Sequence, residues 1–440
     1  MSLTTNSATA STGSFQRVLY HPLFIPACIA IGLTIRISVA LLAPIEPVSD
    51  AAWYLARARE LLSGMGYQEG GHPTAYWPIG WPAIMAGSLA VFGSQPVAIL
   101  AINTLSAALI MWLIIWFARE LPHNEWVARV ALLAYVFYPN HIAYHGAANS
   151  ETTYAALSML ALMLLIKGRE KVWLLAICGC VFGVATLVKP QTIAFPLGAV
   201  LALGIVYPAY RWKQALQAGA VVYLVLLLVV LPWSARNYAV LGEFVLVSTN
   251  GGTALILGAN DQVTGDHFDY QHTPVFEQLG IPWEQRVERQ VELNRRQKEV
   301  AKNWIADNTG EWLAWMPKKA FNLWLKDTDG FWSFDRQYPN ATFAVRASQV
   351  INQIYYAVIV FFSAICAVLV AKAIILRESP LMRAGLLFCM PIFVTLLAAV
   401  FTGQIRYHHA AMPYLMICSS IVLQRLTQTN KTKKIVPAKD

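Results

Sequence analysis

Apolar residues in this chain run in long blocks instead of alternating with polar ones. AGAVVYLVLLLVVLPW (218–233) and AVIVFFSAICAVLVAKAIIL (357–376) are two of them. Blocks of about 20 apolar residues match the hydrocarbon thickness of a bilayer. The pattern predicts membrane spans near 23–45, 97–118, 127–146, 150–167, 172–188, 191–209, 214–233, 351–371, 382–402 and 407–425. The block at 78–93 is short and flanked by prolines, so it predicts a re-entrant or interfacial helix and not a crossing. WEQRVERQVELNRRQKEVAKNWI (283–305) mixes charges with Val287, Val291 and Val300 and predicts a solvated helix. The fold class is therefore an all-α polytopic membrane protein of about 10–11 helices, with juxtamembrane helices on one face and a smaller α/mixed region outside the bilayer.

Composition agrees. Hydrophobic residues make up 57% of the 440, charged residues only 13%, and the mean hydropathy is +0.48. The net charge of +9 is explained without nucleic acid, because Lys and Arg collect in cytoplasmic loops of membrane proteins. With the N-terminus inside, the inner junctions hold Arg119, then Lys167, Arg169 and Lys171, then Arg211 and Lys213, then Lys372, Arg377 and Arg383, with Lys431, Lys433 and Lys434 in the tail. This layout turns Glu46–Pro82 outward. The expected organisation is a disordered cytoplasmic N-terminus (1–21), a transmembrane module (22–233) with a first outer loop (46–96), a periplasmic region (234–350), C-terminal transmembrane helices (351–426) and a basic cytoplasmic tail (427–440). No cleavable signal pattern is expected, and the first span reads as a retained membrane anchor. The six cysteines lie in apolar runs and read as small buried hydrophobes.

Candidate chemistry gathers on the outward face. Asp50 follows Ser49, a good N-cap, and precedes Tyr54 and Arg57 at helical spacing. A carboxylate in a first helical turn is stabilised as the anion and is able to serve as a general base. Glu151, preceded by Asn149 and Ser150, repeats the arrangement. The ordinary alternative for both is helix capping. Two such carboxylates are also able to hold a divalent cation, Mg2+ or Mn2+. Arg57, Arg59, Lys189, Arg236, Arg406, His408 and His409 supply cations suited to a phosphate, and His72 adds a further imidazole. A lone lysine such as Lys189 more commonly snorkels to the interface. Tyr76 and Trp77 lie in PTAYWPIGWP, a rigid aromatic segment suited to a sugar face, an isoprenoid groove or plain interfacial anchoring. Asn250, in a tight turn with two glycines, and Tyr407, beside Arg406, complete the substrate-shaping set. Arg36 lies within the first span, where charge is costly.

These motifs resemble the GT-C class of integral-membrane glycosyltransferases, and within it the bacterial protein-mannosyltransferase-like and aminoarabinose-transferase-like family. The resemblance is carried by SDAAWYLARARELLSGMGY with PTAYWPIGWPAIMA, by SET (150–152), by ATLVKP around Lys189, by LPWSARNYAVLGEFVLVSTNGGTALILGAN (231–260) and by QIRYHHAAMPYL. It implies a GT-C fold and transfer of a sugar from a polyprenyl-phosphate donor to a glycan or lipid acceptor, less readily a protein, outside the cytoplasm. It implies Asp50 as the catalytic first-loop aspartate, Glu151 as the second acidic position, and Lys189 and Arg406 as outward-facing cations. Relatives carry consecutive acidic residues where Asp50 is followed by Ala51, so Asp50 must act alone or with Glu151. A non-catalytic transporter of lipid-linked sugars is the alternative reading; it needs charge along a path through the bilayer.

Overall fold

The structure is a computed structural model that describes residues 14–208, 210, 212–266, 269, 273–378 and 381–435. The start of the expected disordered N-terminus, Arg211, the side chains of Lys431, Lys433 and Lys434, and residues 436–440 lie outside the described residues. Nearly all regular structure is helical. The first half comprises α1 (Ser14–Leu19), α2 (Phe24–Leu42), α3 (Asp50–Leu62), a two-residue hairpin of β1 (Gln68–Glu69) and β2 (His72–Pro73), α4 (Gly80–Phe92), α5 (Gln95–Glu120), α6 (Glu125–Val136), α7 (Pro139–Ala143), α8 (Glu151–Gly168), α9 (Trp173–Val188), α10 (Phe195–Val206) and α11 (Trp212–Leu241). Next come α12 (Gly251–Leu257), α13 (Pro274–Glu277), α14 (Gln290–Asp307), α15 (Thr309–Leu325) and α16 (Trp332–Gln337). Helices α17 (Thr342–Leu376), α18 (Cys389–Val400) and α19 (Met412–Ile435) then return to the bundle.

Among the described residues, five helical segments are long and apolar enough to cross a membrane: Phe24–Leu42, Gln95–Glu120, Trp212–Leu241, Pro339–Leu376 and Leu381–Val400. Several expected spans are interrupted. The segment 127–146 breaks after Val136 and resumes at Pro139, whose ring cannot extend the preceding helix. The expected spans 191–209 and 407–425 both begin as 3-10 turns before their α-helical parts. Residues 14–19, expected to be disordered, form α1: Leu19 is buried, and its carbonyl accepts a 2.6 Å bond from Arg129 Nη1. The solvated helix expected within 283–305 is α14, which packs on α12 and buries Leu293 and Ala301 in a small apolar cluster with Ile256 and Leu279. Cys180 is exposed, against the expectation that all six cysteines are buried.

Arg36 is fully buried, and its guanidinium caps a helix. It donates to Gly32 O (3.1 Å), Val136 O (3.1 Å) and Tyr135 O (2.7 Å) and lies 4.5 Å from the Tyr135 ring centre. Val136 ends α6 inside the bundle, where its last carbonyls would otherwise lack donors. A buried cation at a helix C-terminus also meets the negative end of the helix dipole.

Helix α4 does not traverse the bundle. Trp81 Nε1 donates to Ala148 O (2.9 Å) and Asn103 Nδ2 to Ala147 O (3.0 Å), so the start of α4 and residue 103 of α5 share one level. Ser88 Oγ donates to Ala98 O (3.0 Å), closing the α4–α5 hairpin beyond that level. The basic residues expected at inner junctions meet at the opposite end. Arg383 bonds His123 at 2.9 Å, Arg169 and Arg383 both lie over the Tyr207 ring, and Lys167 lies over Trp116.

Gly80 fixes how closely α4 meets α9, because a Cβ there would overlap the backbone of Leu187 and Val188. Gly80→Ala is expected to cost about 1–3 kcal/mol of stability through overpacking. Gly87→Ala, in the same helix with open space around it, is expected to be neutral or stabilising by about 0.5–1 kcal/mol. Thermal unfolding of the two variants in detergent checks the pair.

Candidate active site

The first acidic position is set by backbone geometry. Ser49 adopts φ 51° and ψ −127°, and its side chain makes no capping bond, contrary to the N-cap expectation. A non-glycine residue in such a conformation costs about 1–3 kcal/mol and persists where surrounding contacts impose it. Here Gln337 exchanges two bonds with the Glu46 backbone (2.9 and 2.7 Å), and the Tyr338 hydroxyl donates to Pro44 O at 2.7 Å. The loop before Asp50 is thereby tied to the end of α16. Asp50 opens α3 and accepts a 2.7 Å bond from Arg406 Nη1 across 356 residues of chain.

The second pair lies alongside. Glu151, the first residue of α8, is buried and accepts a 3.0 Å bond from Lys189 Nζ at the C-cap of α9. Ser150 makes no side-chain cap there either. Asp50, Glu151, Lys189 and Arg406 line one cavity of about 340 Å³. Burial alone would discourage the charge of Arg406, but Asp50, Tyr407, Glu151 and Asp329 outweigh it and raise its pKa. Tyr154, Val188, Phe393, Val394, Leu397 and Phe401 make much of the remaining wall apolar. A second cavity of about 720 Å³ shares Asp50, Trp77, Asn250, Arg406 and Tyr407 with the first. The Asp50–Arg406 pair thus stands on the boundary of two chambers. The described residues bring no three His, Cys, Asp or Glu side chains together as a metal set. Asp50 and Glu151 each already face a cation, which leaves little net negative charge to hold a divalent ion.

Other expected site residues divide. Tyr54, Trp77, Asn250 and Tyr407 line the first cavity, and Tyr76 lines the second. His409 also reaches the first cavity and stacks on His141 at 3.6 Å. Arg57 does not line either; it bonds Glu60 at 2.5 and 2.7 Å and covers Trp53. His72 sits exposed on the hairpin, where a two-residue strand leaves it outside both chambers. Arg236 donates to Thr74 O (2.8 Å) and Tyr67 O (2.6 Å) and so braces the aromatic segment from behind. Gln290 helps: its Nε2 donates to Pro73 O (2.9 Å) and its Oε1 accepts from Ala75 N (2.8 Å).

His408, expected to meet phosphate, points away from both chambers. It is 1% exposed, with Nδ1 2.7 Å from Leu323 O and Nε2 2.8 Å from Asp327 Oδ1. Both ring nitrogens are thus held by neighbouring oxygens. Trp324 and Tyr356 stack on it at 5.4 and 5.2 Å. Burial alone would raise the Asp327 pKa, but bonds from His408, Tyr138 and Asn352 hold it below its ordinary value. Asn140 donates to the same carboxylate. This network joins the segment carrying Arg406 to α7, α15 and α17. Asp327 and Asp329 gave no sequence signal, since their partners Tyr138 and Tyr144 lie more than 180 residues away.

Residues 76–235 match the family model described as dolichyl-phosphate-mannose-protein mannosyltransferase. That stretch includes Glu151 and Lys189 but neither Asp50 nor Arg406. A search of curated proteins returns no match. Among solved structures, the chain is similar to the archaeal oligosaccharyltransferase AglB from Archaeoglobus fulgidus, in complex with an inhibitory peptide and a dolichol-phosphate. The TM-score is 0.53 at 12% identity, covering 95% of this chain and 52% of AglB. The chain therefore spans about half of AglB's length. It also matches ArnT from Cupriavidus metallidurans bound to undecaprenyl phosphate, with TM-score 0.43 and 16% identity over 88% of this chain and 77% of ArnT. The partial family-model match and the fold shared with AglB agree with the GT-C resemblance read from the sequence: this multi-pass membrane protein has a GT-C fold.

Removing one member of a buried ion pair costs about 3–5 kcal/mol because the other is left uncompensated. His408→Leu is expected to lose stability on that scale. The His408→Leu/Asp327→Leu double variant is expected to lose less than the sum of the singles, with a coupling of about 0.5–3 kcal/mol. A double-mutant cycle of unfolding in detergent measures it.

Proposed function

We propose that this protein transfers a sugar from a polyprenyl-phosphate donor to an acceptor hydroxyl on the extracytoplasmic face of the inner membrane. The observation that carries the reading is the Asp50–Arg406 pair at the junction of the two chambers. The apolar-walled cavity suits the first isoprene units of a donor, with Arg406 and Lys189 beside its phosphate. The wider chamber, with its aromatic and charged walls, receives the acceptor, a glycan or lipid hydroxyl. AglB, described in complex with a dolichol-phosphate, is consistent with a lipid-phosphate partner for this fold.

The acceptor oxygen attacks the anomeric carbon as the bond from that carbon to the phosphate oxygen breaks. The phosphate leaves with the electron pair, and the acceptor proton passes to Asp50. Asp50 holds Arg406 through Oδ2, which leaves Oδ1 to meet the acceptor hydroxyl. Displacement from the face opposite the phosphate inverts the anomeric centre. Charge develops on the leaving phosphate, where Arg406 and Lys189 stabilise it most in the transition state. Glu151 keeps Lys189 aimed into the cavity. The transport reading loses support because Arg36, the charge within the bundle, uses its hydrogen bonds on backbone carbonyls.

Asp50→Asn keeps the shape and a bond to Arg406 but cannot take a proton. Its turnover is expected to fall by about 10²–10⁴, the range for losing a general base, while donor half-saturation stays near wild type. Arg406→Ala is expected to weaken donor binding and flatten its salt dependence. Near-normal turnover by folded Asp50→Asn, in an assay with a radiolabelled polyprenyl-phosphate sugar, would remove Asp50 from this role.

A further inference from the structure

The wider chamber carries chemistry that the donor reading does not use. Four indoles line it, from Trp53, Trp77, Trp283 and Trp332. Trp332 opens α16 and is 41% exposed. Charged groups alternate with these rings. Arg336 lies one helical turn on and packs 4.3 Å from the Trp332 ring centre. Arg286 packs 4.6 Å from Trp283 and bonds Glu69 at 2.6 Å, while Glu69 also accepts a 2.9 Å bond from Trp53 Nε1. Asp329 lines the chamber from three residues before Trp332 and accepts a bond from the Tyr144 hydroxyl. Burial and the nearby Asp50 push its carboxyl up, against the pull of Arg406 and His408.

The combination selects a ligand class. A sugar ring has an apolar C–H face and a rim of hydroxyls. Indole surface takes the face, and carboxylate and guanidinium side chains take adjacent hydroxyls as charge-assisted bonds. An extended peptide is more often held through its backbone along an open strand edge, whereas β1 and β2 of this region are two residues each, too short to seat one. The walls hold both signs, Glu69, Asp329 and Asp50 with Arg286, Arg336 and Arg406, a mixture suited to the neutral hydroxyls of a sugar.

We propose that the chamber is a carbohydrate-binding subsite in which the acceptor sugar stacks on Trp332 while Asp329 and Arg336 hold its hydroxyls, so that the accepting hydroxyl belongs to a glycan. The proposal rests on reading this chamber as the acceptor side, and it assigns Trp332, Asp329 and Arg336 as specificity residues. Asp329 also sits beside Arg406 and Asp50, which brings the recognised ring to the reacting pair.

Saturation-transfer NMR on the full-length protein in detergent tests it without requiring turnover. The probes are methyl glycosides of glucose, galactose, mannose and N-acetylglucosamine, with cellobiose and maltose, and a Ser/Thr-containing peptide for contrast. Saturation transfer is expected to at least one sugar. Its apparent affinity is expected to fall at least tenfold in Trp332→Ala and in Asp329→Asn, with Arg336→Gln as the conservative check. Binding of undecaprenyl phosphate, measured alongside, is expected to be the same in Trp332→Ala and Arg336→Gln and reads the donor assignment separately. Sugar binding that is absent from wild type, or undiminished in both Trp332→Ala and Asp329→Asn, would overturn the proposal. So would peptide binding that Trp332→Ala abolishes.

Discussion

Charge is tolerated at the edge of a lipid-embedded bundle when it is paired, and the pairing of Asp50 with Arg406 organises this end of the molecule. The two residues are separated by nearly the whole chain, so their 2.7 Å bond draws the first outer loop against the segment before α19. Glu151 and Lys189 make a parallel bond between α8 and α9. Such pairs contribute little net stability once desolvation is counted. They hold guanidinium, ammonium and carboxylate groups in a fixed arrangement, as the proposed binding of a lipid phosphate requires.

The support beneath the pairs is polar and largely hidden. Arg236, Gln290 and Tyr67 hold the aromatic segment 73–78 by its backbone. The buried His408–Asp327 pair fixes the strand of chain that carries Arg406. Close backbone approaches at Gly258 against Phe401 and at Gly403 against Lys319 bring the outer region onto the same segment, where any side chain would overlap the neighbouring backbone. Lys319, buried beside them, donates to Gly258 O at 2.5 Å, and burial lowers its pKa to about 8. In the proposed reaction, preorganisation of this kind would keep the charged groups from relaxing toward water as charge moves.

The sequence made the bundle legible because long apolar blocks have one economical use, and it separated the basic end from the end with the chemistry. Asp50, Glu151, Lys189 and Arg406 stood out because each is a charge next to an apolar block, and the structure gathers all four on one cavity. What it missed depends on tertiary approach. Arg36 as the cap of α6 and the second cavity come from contacts across 100 residues or more. His408 and Arg236 were misassigned for one reason: a cation near a site reads the same in sequence whether it faces the cavity or a neighbouring carbonyl.

The claim on which the account turns is that Arg406 and Lys189 receive a lipid phosphate in the apolar-walled chamber while Asp50 faces the other. A structure determined with bound undecaprenyl phosphate tests it most directly. The account predicts phosphate density within hydrogen-bond distance of Arg406 and Lys189, with the isoprenoid chain running along Phe393 and Leu397. Phosphate density in the wider chamber beside Trp332, or at the basic end near Arg383, would contradict it.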